Sequence, residues 1–257
     1  MTERVALPQG TKPEGAVNEE DASRRVREMF TRIAPRYDLL NRLLSARMDT
    51  RWRARTAREL DPILQRGDAM VLDLCCGTGD LAFSLARSSK ARIVGGDFSH
   101  SMLTRAKEKS EFASGKGWRV PFFEADALRL PFADASFDLV TTAFGFRNLA
   151  NYKSGLQEIL RVLKRGGTIG ILEFTEPAPG LLGNGYRFYT QKLLPWIGGV
   201  VSGDAAAYAY LPKSVARFFR PDELAGLMRE VGYSEVRFHL MTLGSVALHI
   251  GVKSQVR

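Results

Sequence analysis

One stretch of ten residues constrains the fold more than any other: an apolar run that contains a carboxylate and ends in a glycine-rich turn. It reads Val71-Leu72-Asp73-Leu74-Cys75-Cys76-Gly77-Thr78-Gly79-Asp80. A strand that turns sharply into a helix needs glycines such as Gly77 and Gly79, because the backbone there comes close to a ligand. The stretch therefore predicts a strand–turn–helix unit that binds a nucleotide-like ligand where the strand ends.

From Ala69 onward, short β-type runs alternate with stretches of helical periodicity. The predicted strands are Met70–Leu74, Arg92–Asp97, Pro121–Glu124, Phe137–Thr142, Thr168–Glu173, Val236–Leu240 and Ala247–Val252, and the predicted helices are 79–88, 100–113, 151–164 and 221–231. This alternation indicates an α/β fold with a mostly parallel sheet and helices on both faces. The last two strands are joined by a short turn, so the final strand runs antiparallel. We therefore expect the seven-stranded, Rossmann-like fold of the class I methyltransferases.

Carboxylates follow or end three successive predicted strands. Asp73 stands before the glycines, where its charge suits the ammonium of a methionine moiety and would repel a pyrophosphate. Asp97 can accept hydrogen bonds from both ribose hydroxyls. Asp126, followed by Ala127, can accept a hydrogen bond from an adenine amino group, and a helix N-cap is its alternative role. The set favours S-adenosylmethionine over a dinucleotide, with an unliganded tight turn as the remaining alternative.

The residues before the predicted sheet form a separate unit. Residues 1–22 lack periodicity, which predicts a flexible tail. Apolar residues then recur at helical spacing, and we expect residues 23–65 to form a helical cap on a methyltransferase domain of residues 66–257. Within that domain, residues 181–211 are rich in aromatic side chains and too long for an ordinary connection. They predict a wall of a substrate pocket, with ordinary core packing as the alternative.

The net charge of +9 is concentrated in the predicted cap. Between Arg24 and Leu60 there are eleven arginines, no lysine and four acids. Each basic side chain near an anionic lipid surface contributes about 1 kcal/mol to binding. We expect peripheral contact with an anionic membrane, helped by exposed apolar side chains such as Phe30 and Trp52. A solvated helix face, or a lid over the cofactor, is the alternative.

Four further strings carry a family resemblance. They are Tyr37-Asp38-Leu39-Leu40-Asn41-Arg42-Leu43-Leu44-Ser45 with Trp52 after it, Phe144-Gly145-Phe146-Arg147-Asn148, Arg161-Val162-Leu163-Lys164-Arg165-Gly166-Gly167 with Leu172-Glu173-Phe174, and Tyr210-Leu211-Pro212-Lys213-Ser214. From about Val26 onward the chain resembles the ubiquinone/menaquinone biosynthesis C-methyltransferases, the UbiE/MenG family. It departs from that family at Asp49, where a His is usual, and at Arg165, where Pro is commoner.

The resemblance implies transfer of a methyl group from S-adenosyl-L-methionine to a ring carbon of a prenylated quinol. It implies cofactor contacts by Thr78, Asp97, Asp126 and Ala127, beside the roles proposed above for Asp73, Gly77 and Gly79. Ala143 stands where the family often has Ser, which removes a side-chain hydrogen bond. We expect the acceptor to be demethylmenaquinol, which the adjacent cysteines favour, or the benzoquinol of the ubiquinone pathway.

Two residues just beyond the fourth predicted strand are candidates for the chemical step. Arg147 is expected to stabilise the phenolate oxygen of the acceptor, and Asn148 to orient it. A salt bridge between Arg147 and a helix is the alternative. The three histidines are scattered along the chain and predict no catalytic base.

Other classes of protein fit less well. The fourth strand leads into Ala143-Phe144-Gly145-Phe146, and amino-methylating enzymes commonly show Asn/Asp-Pro-Pro-aromatic there. An RNA methyltransferase is therefore the weaker alternative, and we expect no nucleic-acid partner. A non-catalytic scaffold that binds S-adenosylmethionine in a quinone-biosynthesis complex stays open. The two adjacent cysteines and the polar N-terminus predict a reduced cytoplasmic protein, associated with the inner face of the membrane. A homodimer is compatible with the sequence.

Overall fold

The structure is a computed structural model that describes residues 9–45, 47–114, 119–177 and 205–255. Its strands are β1 Met70–Leu74, β2 Arg92–Asp97, β3 Phe122–Glu124, β4 Phe137–Ala143, β5 Leu163–Phe174, β6 Tyr233–Met241 and β7 Val246–Lys253. They form one sheet in the order β3-β2-β1-β4-β5-β7-β6. The pairs among β1 to β5 are parallel, and β7 lies antiparallel between β5 and β6. The predicted fold, with its reversed final strand, is confirmed.

Helices cover both faces of this sheet. Their bounds are α1 Glu19–Ile33, α2 Tyr37–Leu44, α3 Met48–Glu59, α4 Asp61–Leu64, α5 Asp80–Ala86, α6 His100–Ser114, α7 Tyr152–Val162, α8 Ala205–Arg217 and α9 Pro221–Val231. Successive side chains of a strand point to opposite faces. On β1, Leu72 therefore packs in one core cluster with Leu156 of α7, and Val71 packs in the other with Leu64 of α4. Over the ranges given above, none of these helices is both long and apolar enough to cross a bilayer.

The N-terminal segment packs on the domain earlier in the chain than the sequence predicts. Helix α1 begins at Glu19, where the Asn18 side chain caps it by accepting from the Asp21 N–H at 2.8 Å. Before it, the Thr11 N–H donates to the Leu149 carbonyl at 2.8 Å. A Cβ added at Gly10 would lie 1.7 Å from the Ala150 carbonyl oxygen. The described part of the predicted tail thus makes specific contacts that hydropathy does not reveal.

Most of the aromatic segment predicted at residues 181–211 lies outside the described residues. Its last part, from Ala205, begins helix α8, which continues to Arg217. Tyr210 of this helix is hydrogen-bonded to Thr11 at 2.7 Å, which ties α8 to the N-terminal segment. The division of the chain at residue 65 and the role of 181–211 stay predictions.

Candidate cofactor and acceptor site

A cleft opens at the carboxyl ends of β1, β2 and β4. In parallel α/β sheets this edge is where ligands bind. The helical cap contributes Phe30, Tyr37 and Asn41 to its lining. The sheet side contributes, among others, the predicted residues Asp73, Gly77, Thr78, Asp97, Asp126, Ala127 and Asn148. The structure thus brings these seven predicted residues into one cleft.

The glycine loop has the backbone geometry that the sequence predicts. Gly77 and Gly79 have φ angles of 54° and 84°, in the left-handed region that favours glycine. A Cβ added at Gly79 would lie 2.8 Å from the Phe122 ring, so the position also lacks room for a side chain. Cys75 shares this conformation, with a φ of 53°. Burial, together with the nearby acids Asp97 and Asp73, raises the pKa of the Cys75 thiol well above its usual value. The thiol is therefore neutral and a poor nucleophile.

Asp97 holds the glycine loop in place. Its Oδ2 accepts from the Gly77 N–H at 2.8 Å, and its Oδ1 accepts from the Ser99 N–H at 2.9 Å. Burial raises the pKa of Asp97 to about 6, against the effect of these backbone hydrogen bonds. Each carboxylate oxygen keeps a second lone-pair site, so the group can accept further hydrogen bonds from a ligand.

Asp73 is fully buried and only half satisfied. Its Oδ1 accepts from the Thr141 hydroxyl at 3.0 Å, whereas Oδ2 has no hydrogen-bond partner within the described part of the chain. Burial raises the pKa of this carboxyl to about 7. A buried, unpartnered carboxylate oxygen is costly unless a cation or a donor reaches it. The cradle therefore fits the ammonium of a methionine moiety.

Thr78 is positioned by two residues that the sequence reasoning missed. Its hydroxyl donates to Asp38 of α2 at 2.6 Å and accepts from Lys109 of α6 at 3.1 Å. Lys109 also bridges Asp38 at 2.9 Å and Asp80 at 2.6 Å. The hydroxyl has thus used its only donor, so the side chain can meet a ligand only as an acceptor, and the backbone of Thr78 remains for a close approach. Asp38 lies in the first of the four family-like strings, and this position was the sequence signal that could have pointed to its role.

Asp126 and Ala127 lie in a turn after β3. Asp126 is exposed, and its Oδ1 accepts from the Leu128 N–H at 2.9 Å, while Ala127 is buried. The turn that this bond closes accounts for the acid without a ligand. It is not the helix N-cap that the alternative predicted, because the next element of this described stretch is strand β4. Both residues nevertheless line the cleft.

Arg147 lies behind the cleft and is almost fully buried. Its Nη1 donates to Glu173 of β5 at 2.8 Å and also to the Phe144 carbonyl, and its Nε donates to Ser214 at 3.3 Å. Burial disfavours the charge of Arg147, but Glu173 outweighs it and the pKa is raised. The predicted salt bridge therefore exists, with a strand residue as the partner instead of a helix.

Asn148, the other candidate, lines the cleft itself. Its Oδ1 accepts from the Tyr210 hydroxyl at 3.0 Å, and its Nδ2 donates to the Phe144 carbonyl at 3.4 Å. An amide nitrogen has two N–H donors, so one of them remains for a ligand. Among the predicted catalytic residues, Asn148 is the one with direct access to the cleft.

The expectation that Trp52 is exposed is wrong. Its side chain is 6% exposed, and its Nε1 donates to the Thr242 hydroxyl at 2.7 Å. The ring packs against Phe144 and Phe174, with centroid distances of 5.8 and 6.0 Å. Phe30 is half-buried and lines the cleft. Both side chains pack inside the fold. Helical periodicity alone does not show whether an apolar side chain packs in the core or forms an exposed apolar surface.

Comparison with solved structures supports the class of fold. One match is an S-adenosylmethionine-dependent methyltransferase from Thermotoga maritima, described as a possible histamine N-methyltransferase. The two share 20% sequence identity with a TM-score of 0.61, over 88% of this chain and 99% of that one. At this identity the match shows the fold alone. The fold is therefore that of the S-adenosylmethionine-dependent methyltransferases.

The sequence comparisons identify the family. The family model for the ubiE/COQ5 methyltransferases matches residues 17–253, and the chain belongs to this family. A protein named demethylmenaquinone methyltransferase from Thermus thermophilus is 50% identical over 224 residues, 87% of this chain and 99% of that protein. A protein of the same name from Deinococcus radiodurans is 48% identical over 237 residues, 92% of this chain and 95% of that protein.

Proposed function

We propose that the protein transfers a methyl group from S-adenosylmethionine to a ring carbon of a prenylated quinol, demethylmenaquinol above all. Asp73 lines the cleft, and its buried Oδ2 has no hydrogen-bond partner among the residues that the structure describes; this observation carries the proposal. An ammonium group would satisfy this oxygen and form a charge-assisted hydrogen bond. The choice of acceptor rests on two relatives, at 50% and 48% identity, that are named demethylmenaquinone methyltransferase.

The cofactor would be held along the glycine loop. Asp73 would bind its ammonium group, Asp97 its ribose hydroxyls, and Asp126 with the Ala127 N–H its adenine. Gly77, Gly79 and the backbone of Thr78 would allow the close approach. When bound, S-adenosylmethionine supplies the electrophilic methyl group. The protein's own part is to bind the acceptor close to that group and to exclude water.

The acceptor carbon becomes nucleophilic when the neighbouring hydroxyl loses its proton. Asn148 would donate its free N–H to the resulting phenolate oxygen. Arg147 would stabilise the same negative charge from below the cleft wall. Hydrogen bonds to Glu173, Ser214 and Phe144 already fix its guanidinium, so it does not need to reorient during the reaction. The hydroxyl proton would leave to water in the cleft. Once the ring carbon carries the methyl group, it would lose its own hydrogen as a proton to water and the oxygen would regain a proton, which restores the aromatic quinol. The electron pair of the broken S–CH3 bond would stay on the sulfur of the departing S-adenosylhomocysteine.

The N-terminal cap would bring this cleft to the membrane where a prenylated quinol resides. Ten of the eleven arginines between residues 24 and 60 are exposed, and Arg53 is buried. Leu39, which is 60% exposed, lies three residues from both Arg36 and Arg42 on the helical segment around α2. This combination of an apolar side chain and arginines is suited to an anionic lipid surface on the cytoplasmic side. Self-association as a homodimer remains a prediction.

The test is turnover with a deuterated methyl donor. Purified protein is incubated with S-adenosylmethionine labelled in the methyl group and a short-prenyl demethylnaphthoquinol, and the product is analysed by mass spectrometry. We expect a single labelled methyl group on the ring carbon, and none with Asp73→Asn at the same cofactor concentration. Cofactor binding without transfer to any quinol would instead favour the scaffold alternative, and transfer to RNA would favour the other one.

A further inference from the structure

Phe144 has a backbone conformation that a bulky residue rarely adopts. It follows the last paired residues of β4 with a φ of 58°, in the left-handed region. Such conformations cost free energy and persist only where the surroundings fix them. Here the N–H of Phe144 donates to the Leu172 carbonyl at 2.8 Å, and its carbonyl accepts from both Arg147 and Asn148. The two candidate residues for the chemical step therefore fix the backbone of Phe144.

The ring of Phe144 belongs to an aromatic cluster that also contains Trp52 and Phe174. The Phe144 and Phe174 centroids lie 4.5 Å apart with an interplanar angle of 32°. Trp52 is held against them from the cap by its hydrogen bond to Thr242. Phe144 and Phe174 are half-buried, and Phe144 is the one of the three that lines the cleft. The cluster thus presents one supported ring at the cleft wall.

Gly145, the residue after Phe144, lies against the glycine loop. A Cβ added at Gly145 would be 2.4 Å from the Cβ of Cys75. The end of β4 is therefore in direct contact with the loop along which the methyl donor is proposed to bind. A ring fixed beside that contact can align a flat acceptor with the methyl group, and orientation of this kind contributes strongly to rate.

We propose that Phe144 is the stacking surface for the planar ring of the acceptor and a determinant of its specificity, with Trp52 and Phe174 as its support. The inference rests on the proposed function, because it assumes an aromatic acceptor. Offset-stacked aromatic pairs gain energy beyond simple apolar burial. A fused bicyclic naphthoquinol offers more area to such a surface than a monocyclic benzoquinol. The ring should therefore favour the bicyclic acceptor.

The test compares Phe144→Leu and Phe144→Tyr in the full chain, with Phe123→Leu as a matched control. Phe123 is also half-buried and packs on another ring, Phe132, at 5.0 Å, but it does not line the cleft. We expect Phe144→Leu to raise the KM for a short-prenyl naphthoquinol about five- to tenfold and the KM for the benzoquinol less. The Kd for S-adenosylmethionine should change by less than about twofold. Phe144→Tyr should retain the KM of the original protein.

The stacking role would be overturned if Phe144→Leu and Phe123→Leu had the same KM for the naphthoquinol and both lowered only the melting temperature. This result would leave the proposed function intact. If the unmodified protein methylates neither quinol, the proposed function fails. The Phe144 inference is then decided by binding of a water-soluble naphthoquinone, followed by quenching of tryptophan fluorescence. Weaker binding by Phe144→Leu alone would support it. Equal binding, or none by the unmodified protein, would overturn it.

Discussion

The hydroxyl group of Thr78 donates a hydrogen bond of 2.6 Å to Asp38, and this contact joins the glycine loop to the N-terminal cap. Lys109 bridges the same carboxylate and Asp80, so four side chains link α2, the loop, α5 and α6. The cap that lines the cleft with Phe30 and Tyr37 is therefore fastened to the loop that is proposed to hold the cofactor.

Asp38→Ala should loosen this link and weaken S-adenosylmethionine binding about fivefold, since a partly buried ion pair of this kind contributes about 1 kcal/mol. Isothermal titration calorimetry measures the effect. Asp61→Ala is the control, because Asp61 also accepts from a side chain, that of Gln65, but lies on the exposed surface of α4. An unchanged Kd in Asp38→Ala would show that the link between Asp38 and the glycine loop does not contribute to cofactor binding.

Asp97→Ala should weaken cofactor binding more than tenfold, because it removes the proposed ribose contacts, at about 1.5 kcal/mol or more each, together with the anchor of the loop. Asp97→Asn should be nearly as impaired. Its amide NH₂ would face either the Gly77 or the Ser99 N–H, so that two donors meet. Calorimetry measures both Kd values. Asp134→Ala, at an exposed position, is the control. Cofactor affinity within twofold of the original in a folded Asp97→Ala would rule out the ribose role.

The pH dependence of cofactor binding should depend on Asp73. Because its pKa is raised to about 7 in the folded protein, this group binds more protons folded than unfolded between about pH 4 and 7. Its contribution to the stability of the ligand-free protein is therefore present at low pH and is lost as pH rises through 7. Binding of an ammonium group needs the ionised form, so affinity should rise about tenfold or more between pH 5.5 and 7.5.

Calorimetry at pH 5.5, 6.5 and 7.5 measures this dependence, with Asp73→Asn as the comparison. The variant cannot ionise at this position, so its weaker affinity should vary much less over the same range. A parallel pH dependence in both proteins would assign the titration to another group, of which Asp97, with a pKa raised to about 6, is the nearest candidate.

Arg147 should affect the chemical step and not the cofactor. Removing one partner of a buried ion pair costs about 3–5 kcal/mol of stability, so Arg147→Ala would confuse folding with function. Arg147→Lys keeps the charge opposite Glu173 but loses the planar geometry that also reaches Ser214 and Phe144. We expect its kcat to fall at least tenfold, with the cofactor Kd unchanged within twofold. Steady-state kinetics and calorimetry measure the two quantities. A kcat that is preserved in Arg147→Lys would leave this ion pair a purely structural role.

The sequence predicts the sheet well because its strands are short apolar runs bounded by turn residues. β1 and β2 have the predicted bounds, whereas β5 begins at Leu163, before the Gly166-Gly167 pair that reads as a break. Gly166 has a φ of 73°, and the pairing of β5 with β4 shifts register between Leu163 and Thr168, so the glycines form an irregularity inside the strand and not its beginning. Bounds fail where pairing overrides local propensity.

The site also contains residues that the sequence predicts and contacts that it does not. Asp73 and Asp97 could be predicted because the carboxyl ends of parallel strands meet at one edge. The Asp38–Thr78 and Arg147–Glu173 pairs join residues 40 and 26 positions apart. Their existence depends on how the cap folds back and which strands become neighbours, and a single sequence carries no local signal for either. The same reason explains why Trp52 belongs to the aromatic cluster and not to the surface.

The exposed arginines around α2 should bind an anionic membrane together with Leu39. Arg36→Gln with Arg42→Gln removes two charges beside this side chain, and each contributes about 1 kcal/mol near such a surface. In flotation assays with anionic vesicles, binding should fall about tenfold or more, and it should weaken for the unmodified protein as salt rises, because salt screens the attraction.

Arg165→Gln with Arg220→Gln makes the same change in net charge at exposed positions outside the cap, and it should have little effect. Leu39→Ser should lower binding at both low and high salt, since the apolar contact is not screened. Turnover should fall more for long-prenyl quinols than for short ones. Equal losses in the two arginine pairs would mean that net charge alone drives binding, and flotation that is equal on neutral vesicles would exclude an electrostatic contact.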